Sequence, residues 1–372
     1  MTGGKSSVTR PFELIDNRIF VEIKLNGKGP FRVIFDTGGD NVMTPEVARS
    51  LGLKVRSAGQ SGGTGEGLVE RGQTTVDEMQ IGDLSFKNQD FAVISFDDAR
   101  NVFGAARVDG IIGLEVLERF VVKIDYQQGL LTFMEPATFI YRGKGQALSF
   151  ERPRLIPVVE GEVDGIHSRF GIDTGARTSL ILYGPFIEKN NLRARYGPKV
   201  EGITGWGIGG PIRSQVTRVS QLKLGTFVMH DVVTRLSLQR SGALTSSEMA
   251  GLVGPDILKQ FNLYLDYSRH QIIFEKNNNF GIRDTYDRSG MWLGQEGGYF
   301  QVLDVVANGP AAAAGLKVGD KILAIDGQSA ESLLLPTVRL RLKSEPPDKR
   351  VRLLVQSGNV KREIIISLKE LV

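Results

Sequence analysis

Asp36 and Asp173 each close an apolar run and are each followed by Thr and Gly: Phe31 to Gly38 reads FRVIFDTG, and Arg169 to Gly175 reads RFGIDTG. A carboxylate next to Phe or Ile suffers desolvation unless something pairs with it. Two such carboxylates can solve the problem together by meeting across a twofold axis. At a separation of roughly 3 Å they cannot both ionise, so they share one proton. The ionised member can then act as general base on a water while the protonated member donates to a carbonyl oxygen, which is hydrolytic chemistry. Gly38 and Gly175 allow a tight turn and a close approach to substrate, and Thr37 and Thr174 carry hydroxyls able to bridge the two halves.

The rest of the chain offers little competing chemistry. It contains no cysteine, which removes thiolate nucleophiles, disulfides and Cys-based zinc sites. Its three histidines, His167, His230 and His270, form no HExxH motif and no pair at metal-ligand spacing, so neither a metal nor a cofactor is expected. Gly59 to Gly63 matches GxSxG but lacks the strand before and the helix after that a nucleophile elbow needs. Gly205, Gly207 and Gly210 fit GxGxxG, yet Pro211 and a β-like stretch follow where a phosphate-binding helix should begin. The formal charge of +4 is spread without basic blocks, which argues against a nucleic-acid partner. No apolar run approaches the roughly 18 residues of a membrane span.

The elements that must position the two aspartates come as a repeat. DGIIGLEVLERFVVKIDY from Asp109 to Tyr126 is matched by AGLVGPDILKQFNLYLDY from Ala250 to Tyr267, and VDEMQIGDLSF from Val76 by VSQLKLGTFVM from Val219. With the two Asp-Thr-Gly segments this makes three blocks in one order, so the first 275 or so residues read as a duplicated lobe. Each lobe is predicted to be mainly β, because short alternating apolar runs are separated by glycine-rich turns. Ile19, Val21, Ile23 and Leu25 share a face, Asn26-Gly27 forms a hairpin turn, and Phe31 to Phe35 return as a strand; Val158 to Ile172 repeats the plan around Asp164-Gly165. Thr44 caps a short helix from Pro45 to Leu51, and Leu117 to Phe120 belong to another after Gly113. Two glycine-rich stretches read as hairpin flaps over the site. One runs from Ser57 to Gly67 and includes Gly62 and Gly63; the other is EGITGWGIGG, in which Gly205, Trp206 and Gly207 would cover the substrate. Glu135 to Pro153 reads as the bridge between lobes and Lys276 to Gly290 as a polar linker.

The Asp-Thr-Gly triplets, each followed later by a hydrophobic pair and Gly (Ile111-Ile112-Gly113 and Leu252-Val253-Gly254), resemble the signature of retropepsin-like aspartic proteases. The whole chain looks like a bacterial family of two-lobed aspartyl proteases with a C-terminal PDZ domain. The resemblance implies two acid-protease β-barrel lobes, at residues 1–140 and 141–276, and a PDZ domain at 277–372. It also implies that Asp36 and Asp173 are the catalytic dyad, supported by Thr37, Gly38, Thr174 and Gly175. The PDZ resemblance lies in Gly298-Tyr299-Phe300, NGPAAAAGLKVGD from Asn308 to Asp320, and Ile325-Asp326-Gly327. Gly298, Tyr299 and Phe300 would then form the loop that takes a C-terminal or extended peptide as an added strand.

The function expected is an aspartic-type endopeptidase, with peptide or protein substrates recruited through the PDZ groove. The alternatives are a peptide-binding protein whose cleft does not turn over, and a scaffold that uses the PDZ groove alone. Two motifs in one polypeptide imply a complete site in a monomer. The resemblance favours a periplasmic or cell-surface location, although Met1 to Arg10 has no signal-like apolar segment and the cytoplasm stays open. Gly39 and Ala176, which follow the two glycines, carry no hydroxyl to stabilise a carboxylate, so the profile is expected to peak in mildly acidic to near-neutral solution.

Overall fold

The computed structural model describes residues 6–104, 107–198 and 200–372, with the side chains of 98, 100 and 101 left undescribed. The chain is mainly β, with short helices between strands. The hairpin turns form where the sequence places residues tolerant of positive φ: Asn26 and Gly27 at 50° and 74°, Asp164 and Gly165 at 46° and 84°. They set the register of Arg18–Leu25 on Lys28–Phe35 and of Val158–Val163 on Ile166–Ile172. Thr44 accepts from the Val47 amide to start the helix Pro45–Leu51, and Gly52 ends it in the left-handed region. The helix after Gly113 is Leu114–Leu117, one turn earlier than the sequence suggested.

The repeat is visible as topology. In the first lobe Lys28–Phe35 runs parallel to Gly110–Ile112, which runs antiparallel to Val42–Met43. In the second, Ile166–Ile172 runs parallel to Gly251–Val253, which runs antiparallel to Leu180–Leu182. The two lobes are joined by antiparallel pairing of Val121–Asp125 with Phe261–Asp266, so they share a sheet as well as a hydrophobic core. That core includes Phe35 and Phe170, both fully buried and each contributing roughly 1.5–3 kcal/mol by removal from water.

A second core belongs to the C-terminal domain, whose strands follow the order Met291–Glu296, Tyr299–Val305, Lys321–Ile325, Arg350–Ser357 and Val360–Ser367, with the helix Leu335–Ser344 packed on them. The expected peptide loop lies where the second strand of this sheet opens. Gly298 lies in a hairpin turn at φ 84°, and Tyr299 and Phe300 open a strand in which both pair with Met291–Glu296 while Phe300, with Gln301, also pairs with Lys321–Ile325. Phe300 is fully buried in the domain core. Phe300 is thus flanked by a strand on each side, whereas Tyr299 pairs on one side. The outer strand is Met291–Glu296. The Gln295 side chain ties it to the start of the helix by donating to the Leu333 carbonyl at 2.7 Å and accepting from the Leu335 amide at 3.1 Å. The same strand is covered by the helix Asp97–Phe103 of the first lobe: Gly104, just past that helix, lies where a Cβ would come 2.8 Å from Gln295 Oε1. Among the described residues no helix is long and apolar enough to cross a membrane.

Candidate active site

Each aspartate is placed by the strand trio beneath it. Asp36 donates its amide to the Ile112 carbonyl at 2.9 Å, and Asp173 does the same to Val253 at 3.0 Å. The glycines that end the hydrophobic pairs are steric necessities: a Cβ on Gly113 would sit 1.8 Å from the Asp36 carbonyl oxygen, and one on Gly254 2.3 Å from that of Thr178. The loops beyond then turn toward each other. A Cβ on Gly175 would come 2.2 Å from Asp36 Oδ2, so only glycine lets the second loop approach the first carboxylate so closely.

The threonines lock the loops together across the lobe interface. The Thr37 amide donates to Thr174 Oγ1 at 3.0 Å, and the Thr174 amide to Thr37 Oγ1 at 3.0 Å. Each hydroxyl donates onward to the opposite strand, Thr37 to the Ile172 carbonyl at 2.6 Å and Thr174 to the Phe35 carbonyl at 3.1 Å. Both side chains are fully buried.

The two carboxylates are treated unequally. Asp173 Oδ1 accepts from the amides of Gly175 (2.8 Å) and Ala176 (3.0 Å), whereas Asp36 Oδ1 accepts from Gly38 alone (2.7 Å). Burial and then the charge of Asp173 push Asp36 up to about 7; the Gly38 amide and Arg18 oppose this, and the hydrogen bond between the two carboxyls adds the smallest upward push. Burial raises Asp173 too, but the two amides, Arg18 and the hydrogen bond from Asp36 all favour its charged form. The hydrogen bonds thus favour charge on Asp173 and the proton on Asp36.

Above the dyad the two expected flaps meet. Arg56–Ser61 and Val69–Ile81 carry the first, Val200–Gly207 and Gly210–Leu224 the second. Their tips are bonded to each other, from the Gly65 amide to the Ile208 carbonyl at 3.0 Å and from the Gly67 amide to the Gly209 carbonyl at 2.8 Å. Gly62, Gly63, Gly205, Trp206 and Gly207 all line the cleft of about 470 Å³ that contains Asp36 and Asp173. Its walls are largely apolar, with Phe96, Phe103, Ile156, Ile212 and Met249. The arrangement suits an extended chain laid over the dyad and covered from both sides.

Sequence reasoning missed the charges below the dyad. Arg18, almost fully buried, donates from Nε to the Gly175 carbonyl at 3.0 Å and faces Asp16 at 3.5 Å. Burial pushes Asp16 upward, but Arg177, Arg339 and Arg18 outweigh it and hold the carboxyl at about 2. Arg339 comes from the C-terminal domain. It donates to Asp16 at 2.9 Å, to the Val102 carbonyl at 2.8 Å and to the Leu293 carbonyl at 2.7 Å, and both it and Arg177 lie against the ring of Trp292. The one signal available was an arginine opening a strand otherwise destined for the core, since a buried cation needs a partner.

Two mirrored loops presenting paired aspartates under two glycine-rich hairpins match the arrangement that the resemblance to retropepsin-like aspartic proteases implied, and a PDZ-like domain follows. Comparison with known proteins agrees. Residues 21–116 match the aspartyl protease family model, and residues 301–357 match the PDZ domain model. Plasmepsin IV from two isolates of Plasmodium falciparum is 34% identical to this chain over 113 residues, covering 26% of this chain and 25% of the plasmepsin. The chain thus spans about a quarter of the length of these curated relatives.

Proposed function

We propose that the protein is an aspartic endopeptidase acting as a single chain, with Asp36 and Asp173 as its catalytic dyad. The observation that carries this reading is the unequal hydrogen bonding of the two carboxyls beneath closed flaps, which assigns them different protonation states in one site. Asp173, ionised, takes a proton from a water whose oxygen attacks the peptide carbonyl carbon. Asp36, protonated, gives its proton to the carbonyl oxygen. The tetrahedral diol then collapses as the C–N bond breaks, with one proton delivered to the departing amine and one returned to the dyad. The apolar walls and the tip-to-tip flaps exclude water from the intermediate. Phe300 pairs with both Gln295 and Ile322, so addition of a peptide as a strand at Gly298, Tyr299 and Phe300 is not part of this reading.

The test is a digest of a denatured protein or peptide library read by mass spectrometry, comparing wild type with Asp36→Asn and Asp173→Asn. New termini from the wild type alone are expected, and a mixture of the two variants should stay inactive because each chain builds its own site. Wild type that binds peptides but produces no cuts would replace this reading with non-catalytic capture. Activity recovered on mixing would place the site between chains.

A further inference from the structure

The second flap is held by a residue from another domain. In the PDZ sheet, Tyr299–Val305 slips register against Met291–Glu296 between Trp292 and Leu293, opposite Asp304. In the flap, the ladder of Val200–Gly207 on Gly210–Leu224 slips between Ile203 and Gly205. The two irregularities meet. Asp304 Oδ2 accepts from the Ile203 amide at 2.6 Å and from Arg213 Nη1 at 3.2 Å, and Ile203 and Arg213 are cross-strand partners in the flap. One carboxylate therefore grips both strands of the hairpin at the level where it bends. A Cβ on Gly202 would lie 2.9 Å from the same oxygen, so the glycine makes room for the grip. The carboxylate is itself held, since Oδ1 accepts from the Val305 amide at 3.0 Å. From this level outward the flap lines the cleft, through Thr204, Gly205, Trp206, Gly207, Ile208 and Gly209.

We propose that Asp304 is a positioning residue for substrate binding: from the PDZ domain it fixes the root of the second flap so that Trp206 and Ile208 close over the bound chain. The inference rests on the peptidase reading of the cleft and assigns the PDZ domain a structural share in it. Asp304 touches no reacting atom. Its loss lowers the fraction of molecules whose flap is set for closure, and apparent affinity falls by that fraction while the dyad is untouched. A flap hairpin freed at its root also loses protection of its amides, beginning with Ile203.

The experiment uses the full-length protein with Asp304→Ala and Asp304→Asn. KM and kcat are measured on a peptide long enough to pass under both flaps, together with the pH profile and backbone amide exchange across residues 200–212. For Asp304→Ala, KM should rise about tenfold with kcat within about twofold and both pH limbs in place. Exchange should quicken at Ile203 and through the flap. Asp304→Asn keeps an acceptor for the Ile203 amide and should show a smaller rise. Unchanged KM, or a loss of kcat with KM intact, overturns the proposal, and so does unchanged amide exchange. If wild type cuts nothing, the peptidase reading falls, whereas the exchange measurement still decides whether Asp304 fixes the flap.

Discussion

Replacing Thr37 with Val keeps the side chain's shape and removes one hydroxyl from the centre of the molecule. That hydroxyl donates to the Ile172 carbonyl and accepts the Thr174 amide, so its removal strands one acceptor and one donor where Thr37 is fully buried. Each unpaired buried group costs about 1–3 kcal/mol, which puts the total near 2–6 kcal/mol. For a body of this size a kilocalorie corresponds to about 2–4 °C, so Tm should fall by about 4–24 °C. Thr37→Ser retains both bonds and gives up one methyl group, a loss of about 1 kcal/mol. Thermal unfolding of the two variants, side by side with kcat on a common peptide, separates the hydroxyl from the methyl. If Thr37→Val proves as stable as Thr37→Ser, the crossed hydrogen bonds do not hold the lobes together and the reasoning fails.

Activity against pH should be bell-shaped and centred in mildly acidic to near-neutral solution, because it needs Asp36 protonated and Asp173 ionised and both are raised. The same shift makes stability fall as pH rises from the ordinary carboxylate range to about 7, since the folded state binds the Asp36 proton more tightly than the unfolded chain, and Asp36→Asn should abolish that fall in a pH series of unfolding curves. Arg18 favours the charged form of both aspartates, so Arg18→Met should move both limbs of the kcat/KM profile upward; an unmoved profile would remove Arg18 from the account. Gly65→Ala would set a Cβ 2.3 Å from the Gly209 carbonyl carbon, forcing the flap tips apart, and should raise KM on extended peptides with little change in Tm.

The dyad, its threonines and both flaps could be located in the sequence because each is written as a local string and written twice. A strand ending in Asp-Thr-Gly, a glycine that must clear a carbonyl, and a hairpin of glycines are short-range requirements, and duplication gave each an internal control. The ion cluster left no such trace, since Arg177 and Arg339 reach Asp16 and Arg18 only through the docking of the second lobe and a third domain. Asp304 is a similar case, an ordinary acidic residue in a strand until Ile203 and Arg213 arrive from a distant hairpin. The surroundings of the expected peptide loop were hidden for a related reason. Gly298-Tyr299-Phe300 looks like a strand opening after a turn, which it is, but sheet order decides which strands have a free edge, and sheet order is not written in any one strand.

The inequality of the two carboxyl environments gives the cleft a direction. In a site assembled from identical chains, the two orientations of a peptide are related by the twofold axis and meet equal surroundings. Here one half offers Asp173 two amides and a roof bearing Trp206, while the other offers Asp36 one amide and a roof of glycines. Each half is also encoded separately, so a substitution changes one wall and spares its mirror image. A substrate can therefore be read with a beginning and an end.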